Sequence, residues 1–332
     1  MKDYALIYNP SAAAGKSKKS FQKAMVLLEE KSISFETFES EYAGHILTLA
    51  ADLAKDGYRI IGCGGDGTCN EVINGVQNSG VKMPISFIPM GSGNDLPCAL
   101  GIIPDVERAC EIIAEGHTEK CDIGLATNSS GEKRYFLGIG SQGFDAEVTR
   151  RTNEGKKWLD GTMNYVSSIF KTLGSFKTLD VKVTMDNETY EGKSNLIAVG
   201  NGPSYGGGMY MCPAASIKDS IFHVTVIDNM SKFTLLMNFS KLYKKTHMAL
   251  PEMLEYHSKK VVIEMQNKDD VPYFYQVDGE VMGPLPVTYE IVPGAQEFIM
   301  PKEDEVLLAF NKKYAKKIEK GKIPDYSKSF QD

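Results

Sequence analysis

Three short loops of glycine and small polar residues, each leaving the end of an apolar run, constrain this chain more than any other feature. The runs are Tyr4–Tyr8, Arg59–Cys63 and Pro84–Pro89. Amphipathic stretches follow them: Lys18–Glu30, one starting at Cys69 and reaching Gln77, and Val106–Glu115. Ser34–Phe38 reads as a further strand, Ala43–Lys55 as a further helix and Glu119–Gly124 as a strand leading out. Alternating β and α segments predict a mainly parallel sheet covered by helices, a Rossmann-like α/β domain over residues 1–124. Ligands of such sheets gather at the carboxyl ends of the strands, so all three loops are expected to open onto one crevice.

The pattern changes after residue 124. Strand-like runs now come close together: Tyr135–Ile139, Thr178–Met185, Thr189–Gly192, Asn195–Gly200, Phe222–Ile227, Val261–Met265, Tyr273–Val277, Val287–Ile291 and Glu297–Met300. Asp186-Asn187 signals a hairpin turn. Helical patterns interrupt at Gly161–Thr172 and Lys232–Leu242. This predicts a larger, antiparallel β-sandwich-like domain over 125–301, with the crevice between the two domains. Residues 302–332 form a basic segment whose lysines, Lys312 to Lys320, face water or pack back on the first domain. A chain of 332 residues accommodates two domains comfortably.

The loops set the chemistry. In Gly62-Cys63-Gly64-Gly65-Asp66-Gly67-Thr68 the glycines let successive backbone N–H groups approach a phosphate at a helix N-terminus, and Thr68 can cap that helix. The stretch also matches G-x-G-x-x-G, as do Gly138, Gly140 and Gly143, but no carboxylate ends the next strand at Pro89-Met90, so a dinucleotide fold is disfavoured. A Walker A loop ending at Lys16-Ser17 needs glycine where Pro10 stands. Lone aspartates in glycine turns usually serve the turn. Asp66 and Asp95 beside phosphate-cradling loops instead suit Mg²⁺, which takes carboxylates, water and phosphate oxygens.

Gly64-Gly65-Asp66-Gly67-Thr68 resembles the GGDGT motif of the diacylglycerol kinase catalytic-domain family, shared with sphingosine, ceramide and NAD kinases. Gly91 to Leu96 is similar to the GTGNDLA element of its lipid-kinase branch, and Tyr165, Tyr205 to Met209, Pro213 to Asp219 and Val277 to Glu280 add to the likeness. The resemblance implies ATP held by Asn9, Pro10, Ser11, Ala12, Ala13, Ser40, Gly65, Asp66, Gly67, Thr68, Cys69, Asn70, Glu71, Ser92 and Asn94. It implies a Mg²⁺–water network at Asp66, Asp95 and Asp122. A second, structural Mg²⁺ would lie at Ser216, Asp219 and Ile221, although Asp219-Ser220 departs from the family's Asp-Gly.

Phosphoryl transfer needs positioning, charge neutralisation and a base near the attacking hydroxyl. Asp278 is favoured as that base, with Glu280 able to share or replace the role; by themselves the two acids would read as a hairpin turn. The resulting expectation is ATP-dependent phosphorylation of a lipid hydroxyl, diacylglycerol first, with phosphatidylglycerol, a sphingoid base or NAD as alternative acceptors. An NAD(P)-dependent oxidoreductase and a silent nucleotide- or lipid-binding protein are the readings from other classes. The net charge of −6 speaks against nucleic acid as partner. No run reaches the eighteen-odd apolar residues of a membrane span, which predicts a soluble, cytoplasmic enzyme meeting its lipid at the inner membrane face. Arg150, Arg151, Lys156, Lys157 and Trp158 form a basic patch that could attract anionic headgroups or simply be solvated, and a homodimer stays open. The six cysteines form no C-x-x-C pair and the five histidines are scattered, so no zinc signature is present and the thiols read as reduced core residues.

Overall fold

The computed structural model describes residues 3–154, 168–169, 171–266 and 273–302. Its first half follows the apolar runs. β1 (Tyr4–Tyr8) and β3 (Arg59–Gly64) lie at the centre of a parallel set with β4 (Pro84–Pro89) and β2 (Phe35–Glu39), in the order β4-β3-β1-β2. β1 is buried along its whole length, which is why it reads as a continuous apolar run rather than an alternation. β2 is the edge and carries exposed glutamates. Helices α1 (Lys18–Glu30), α2 (His45–Lys55), α3 (Asp66–Ser79), α4 (Asp95–Ala99) and α5 (Val106–Glu115) connect and cover the strands. Asp105 caps α5 by accepting from the N–H groups of Glu107 and Arg108.

The second half is antiparallel. It comprises β5 (Thr118–Asn128), β6 (Lys133–Phe136), β7 (Ile139–Gly143), α6 (Phe144–Glu154), β8 (Leu179–Thr184), β9 (Thr189–Gly200), β10 (Phe222–Asp228) and α7 (Lys232–Asn238). It closes with β11 (Met253–Ser258), β12 (Lys260–Met265), β13 (Phe274–Val277), β14 (Glu280–Pro284) and β15 (Val287–Ile299). The β8–β9 hairpin turns at Asp186-Asn187. Several expected boundaries move. Tyr135–Ile139 is two strands, broken where Leu137 and Gly138 turn toward the crevice. The pairs of runs at 189–200 and 287–300 are each one strand, and β15 absorbs its break as a bulge between Val292 and Gln296. The Gly161–Thr172 pattern and Tyr165 fall largely outside the described residues, as does the segment beyond Lys302.

β15 ties the halves together. It pairs antiparallel with β5 over most of its length, then parallel with β4 through Glu297↔Pro84 and Phe298↔Ile85. Phe298 is thereby buried beside Phe87, with ring centroids 6.1 Å apart. A second core centres on Phe136, stacked on Phe222 and met edge-on by Tyr289. Five cysteines are buried free thiols and Cys98 is exposed. Among the described residues no helix is long and apolar enough to cross a membrane.

Candidate active site

The three loops meet, and their glycines are the reason they can. A Cβ at Gly91 would lie 2.4 Å from the Cα of Gly65, so the second and third loops touch backbone to backbone where no side chain fits. A Cβ at Gly64 would lie 2.2 Å from Thr68 Oγ1. Asn9 joins the first loop to the second by donating from Nδ2 to Thr68 Oγ1 at 3.1 Å, while its Oδ1 accepts from Ser11 N and its main-chain oxygen from Ala12 N. Pro10 and Ala13 complete that turn, with Ala13 at φ 50°. Ser40, buried, donates its N–H to Tyr8 O at the mouth of the same strand. Asn94 closes the third loop by exchanging hydrogen bonds with Gly91 N and O, leaving Ser92 exposed. Asp66, Gly67 and Thr68 open α3, whose first N–H groups carry the positive end of the helix dipole. Cys69 faces the core, where burial drives its thiol pKa well up, so only its backbone is available to a ligand.

Four acids surround this floor, in very different states. Asp95, on α4, reaches into the second domain: its oxygens accept from Ser204 Oγ at 3.1 Å, Gly207 N at 2.6 Å and Gly208 N at 2.9 Å. Asp278, beyond β13, makes the reverse crossing. Its Oδ1 accepts from Gly138 N and Ile139 N, and its Oδ2 from Leu137 N and from Asn70 Nδ2 on α3, all at 3.0–3.1 Å. Those four donors fill the lone-pair directions of a carboxylate. Gly138 is obligatory there, because a Cβ would stand 2.8 Å from Asp278 Oδ1. Burial raises the Asp278 pKa, opposed by those hydrogen bonds.

Asp66 and Glu280 keep free oxygens. Asp66 Oδ1 accepts from Leu96 N at 2.9 Å. Its Oδ2 and Asp95 Oδ2 lie 2.7 and 3.5 Å from the point a Gly93 Cβ would occupy. Burial, with repulsion from the Asp95 and Asp278 carboxylates, pushes the Asp66 pKa up to about 6 against hydrogen bonds from the Leu96 and Asp95 N–H groups. Glu280, opening β14, is exposed, and its Oε1 lies 3.7 Å from where a Cβ on Gly67 would be. Desolvation in the crevice raises its pKa, Arg134 opposes this, and Glu71 and Asp278 raise it further. Glu71 Oε2 is buried with no hydrogen-bond partner. Crowded carboxylates with raised pKa values and an orphaned oxygen are the donor set a hard divalent cation such as Mg²⁺ relieves.

Asp122, expected beside Asp66 and Asp95, is engaged by two other turns. Its oxygens accept from Ser220 N and Gly294 N, both at 2.7 Å, and hold those turns. Ser216, Asp219 and Ile221 share one turn: Ser216 O accepts from Asp219 N, and Asp219 Oδ1 from Ile221 N. Asp219 Oδ2 faces His223 Nε2 at 3.2 Å. Sequence reasoning missed Arg134, which donates from Nε to Asn70 Oδ1 and anchors the floor. An arginine in Lys133–Phe136 carries no motif that could have marked it. Arg150 and Arg151 of the basic patch both pair with Glu147, while Lys156, Lys157 and Trp158 lie outside the described residues.

Comparisons with known proteins give this arrangement its class. Residues 3–126 match the model of the diacylglycerol kinase catalytic domain, and residues 138–300 match the YegS C-terminal NAD kinase beta sandwich-like domain. The two matches together span most of the chain and place its first half, residues 3–126, in the diacylglycerol kinase catalytic-domain family, a family of kinases. It is 28% identical over 284 residues to a diacylglycerol kinase of Staphylococcus saprophyticus, covering 85% of this chain and 90% of that one. It is 27% identical over 299 residues to a diacylglycerol kinase of Mycobacterium tuberculosis strain H37Rv, covering 89% and 94%. A solved structure described as a candidate diacylglycerol kinase from Bacillus anthracis strain Sterne shares the fold, with a TM-score of 0.74 at 24% identity over 90% of this chain and 97% of that one.

Proposed function

We propose that this chain transfers the γ-phosphoryl group of Mg·ATP to the hydroxyl of diacylglycerol, with Glu280 as proton acceptor and Asp278 as a positioning residue. The observation that carries this division is the contrast in hydrogen bonding: Asp278 has four donors on it, whereas Glu280 points an open carboxylate at Gly67 of the phosphate loop. In the transfer the acceptor oxygen bonds to the γ-phosphorus, the bond to the ADP oxygen breaks, and the hydroxyl proton passes to Glu280. Its raised pKa suits a proton that leaves late in a loose transition state. The α3 N–H groups and glycine loops hold the phosphates. Mg²⁺ held by Asp66, with Asp95 behind it, would neutralise phosphate charge.

Diacylglycerol is preferred because the relatives bear that name, and a surface feature supports a membrane-borne acceptor. On and just beyond α7, Phe233, Met237 and Tyr243 are 72%, 64% and 46% exposed, with Lys232, Lys241 and Lys244 among them. An apolar face edged by lysines suits the headgroup region of an anionic bilayer. Replacing Phe233 and Met237 by serine should weaken binding to phosphatidylglycerol-containing vesicles about 10-fold or more, from the apolar area lost; unchanged binding would remove this face from the proposal.

The deciding assay is labelled-ATP transfer to diacylglycerol, phosphatidylglycerol, sphingosine and NAD in parallel. Transfer to diacylglycerol above the rest, lost in Glu280→Gln with ATP binding retained, is the expected result. Preferred transfer to NAD would overturn the lipid assignment.

A further inference from the structure

The five histidines are far apart in sequence, yet β10 and β11 bring two of them together with a glutamate. His223 is the cross-strand partner of His257, and Thr225 of Glu255, so the side chains of His223, His257 and Glu255 project from one face of this antiparallel pair. His223 Nδ1 lies 3.1 Å from His257 Nε2 and 3.3 Å from Glu255 Oε1, and all three atoms lie within 4.8 Å of one another. The imidazoles stand nearly perpendicular, at 85°, with centroids 4.4 Å apart. Among the described residues β11 pairs only with β10, and His257 and Glu255 are exposed while His223 is buried behind them.

Neutral rings leave part of this group without a partner. A neutral imidazole has one N–H. If His223 carries it on Nε2, facing Asp219 Oδ2 at 3.2 Å, Nδ1 can accept from His257 Nε2 at 3.1 Å, and Glu255 receives no proton from the ring. If it sits on Nδ1, bare Nε2 meets the Asp219 carboxylate, acceptor against acceptor. A cation among Nδ1 of His223, Nε2 of His257 and Oε1 of Glu255 serves all three at once, with Asp219 accepting the remaining N–H. Two atoms bound tetrahedrally at about 2.1 Å lie roughly 3.4 Å apart, close to the two separations seen here. A carboxylate on the far nitrogen of a ligating histidine is the usual support for such a ring.

We propose that His223, His257 and Glu255 form a binding site for a divalent transition-metal ion of the zinc class, oriented by Asp219 and separate from the crevice. Two imidazoles and one carboxylate favour such an ion over Mg²⁺, which prefers oxygen ligands. The fourth position faces solvent and takes water. Asp219 serves here through His223, so the turn that sequence resemblance links to a structural Mg²⁺ acts as a support for a different ion.

The test is titration of the chelator-treated full chain with Co²⁺, read by visible d–d absorption, and competition with Zn²⁺ and Mg²⁺. One equivalent with bands of a low-coordinate ion, displaced by Zn²⁺ and untouched by Mg²⁺, is expected. His257→Ala and Glu255→Gln, both at exposed positions and checked for folding by ATP binding, should abolish the bands. Asp219→Asn should weaken binding about 10- to 100-fold while preserving them. Absence of the bands in the unaltered chain, or their persistence in His257→Ala, overturns the site.

Discussion

The crevice and the β10–β11 face both gather carboxylates, and they treat them oppositely. In the crevice, acids are answered by donors from the other half of the chain: Asp95 by Ser204, Gly207 and Gly208, and Asp278 by Asn70. These reciprocal bonds staple the halves and leave Asp66 and Glu280 with open oxygens. On the β10–β11 face the partners are imidazoles from neighbouring strands, and acceptor atoms outnumber donors. A buried acid with a full set of N–H donors is part of the frame, whereas a group of acceptors without donors marks a place for a cation or a proton.

The sharpest way to break this reading is to neutralise the two crevice acids separately. Glu280→Gln removes the proton acceptor and should lower kcat about 100- to 10,000-fold, the span of general-base contributions. Because no hydrogen bond among the described residues holds its carboxylate, thermal unfolding should move by no more than about 0.5 kcal/mol. Asp278→Asn should behave differently. An amide can accept at one oxygen only, so two of the four N–H groups would face a donor, at about 1–3 kcal/mol each. Denaturant unfolding should show a loss of roughly 2–6 kcal/mol on that basis, with activity falling because Asn70 and the 137–139 loop are released. Asn tolerates the φ of 49° at this position, so backbone strain does not confuse the result. Equal stability losses in the two variants would erase the distinction between frame and chemistry.

Much of the frame was legible. β1, α1, β4 and α5 fall on the bounds that the apolar pattern indicates, since these elements bury one continuous stripe or run. The glycine loops were legible because contacts such as Gly65 against Gly91 admit no other residue. The second G-x-G-x-x-G match, rightly set aside, has a packing origin: Gly138 and Gly140 make room for Asp278 and Tyr289. β11 escaped notice because, as an edge strand, it alternates with polar Glu255 and His257 and lacks an apolar run. The roles of Asp278 and Glu280 could not be separated in sequence. Saturation of Asp278 depends on Asn70, 208 residues away, and on N–H groups 139 to 141 residues back. His223 and His257 stand 34 residues apart, and only strand register makes them neighbours.

Asp145 offers a smaller test of the rule that donors decide the state of a buried acid. It opens α6 and is buried, with its carboxylate reached by the backbone N–H of Ala146 at 2.8 Å and its own N–H, while Ser141 and Tyr205 supply hydroxyls. Desolvation therefore outweighs its hydrogen bonds and pushes its pKa from 3.8 to about 6. Between those values the folded chain keeps a proton that the unfolded chain has lost. Stability from this group is full below about pH 4 and is lost as pH rises through about 6. Asp145→Asn should flatten that part of the stability–pH curve and raise stability at pH 7.5 by roughly 1–3 kcal/mol, the linkage value of a shift this size. A variant that is less stable than the parent at pH 7.5 would show that the charged carboxylate is held by its hydroxyl partners after all. In that case hydroxyls would count as fully as backbone N–H groups, and the contrast drawn for Asp278 would rest on geometry rather than on the kind of donor.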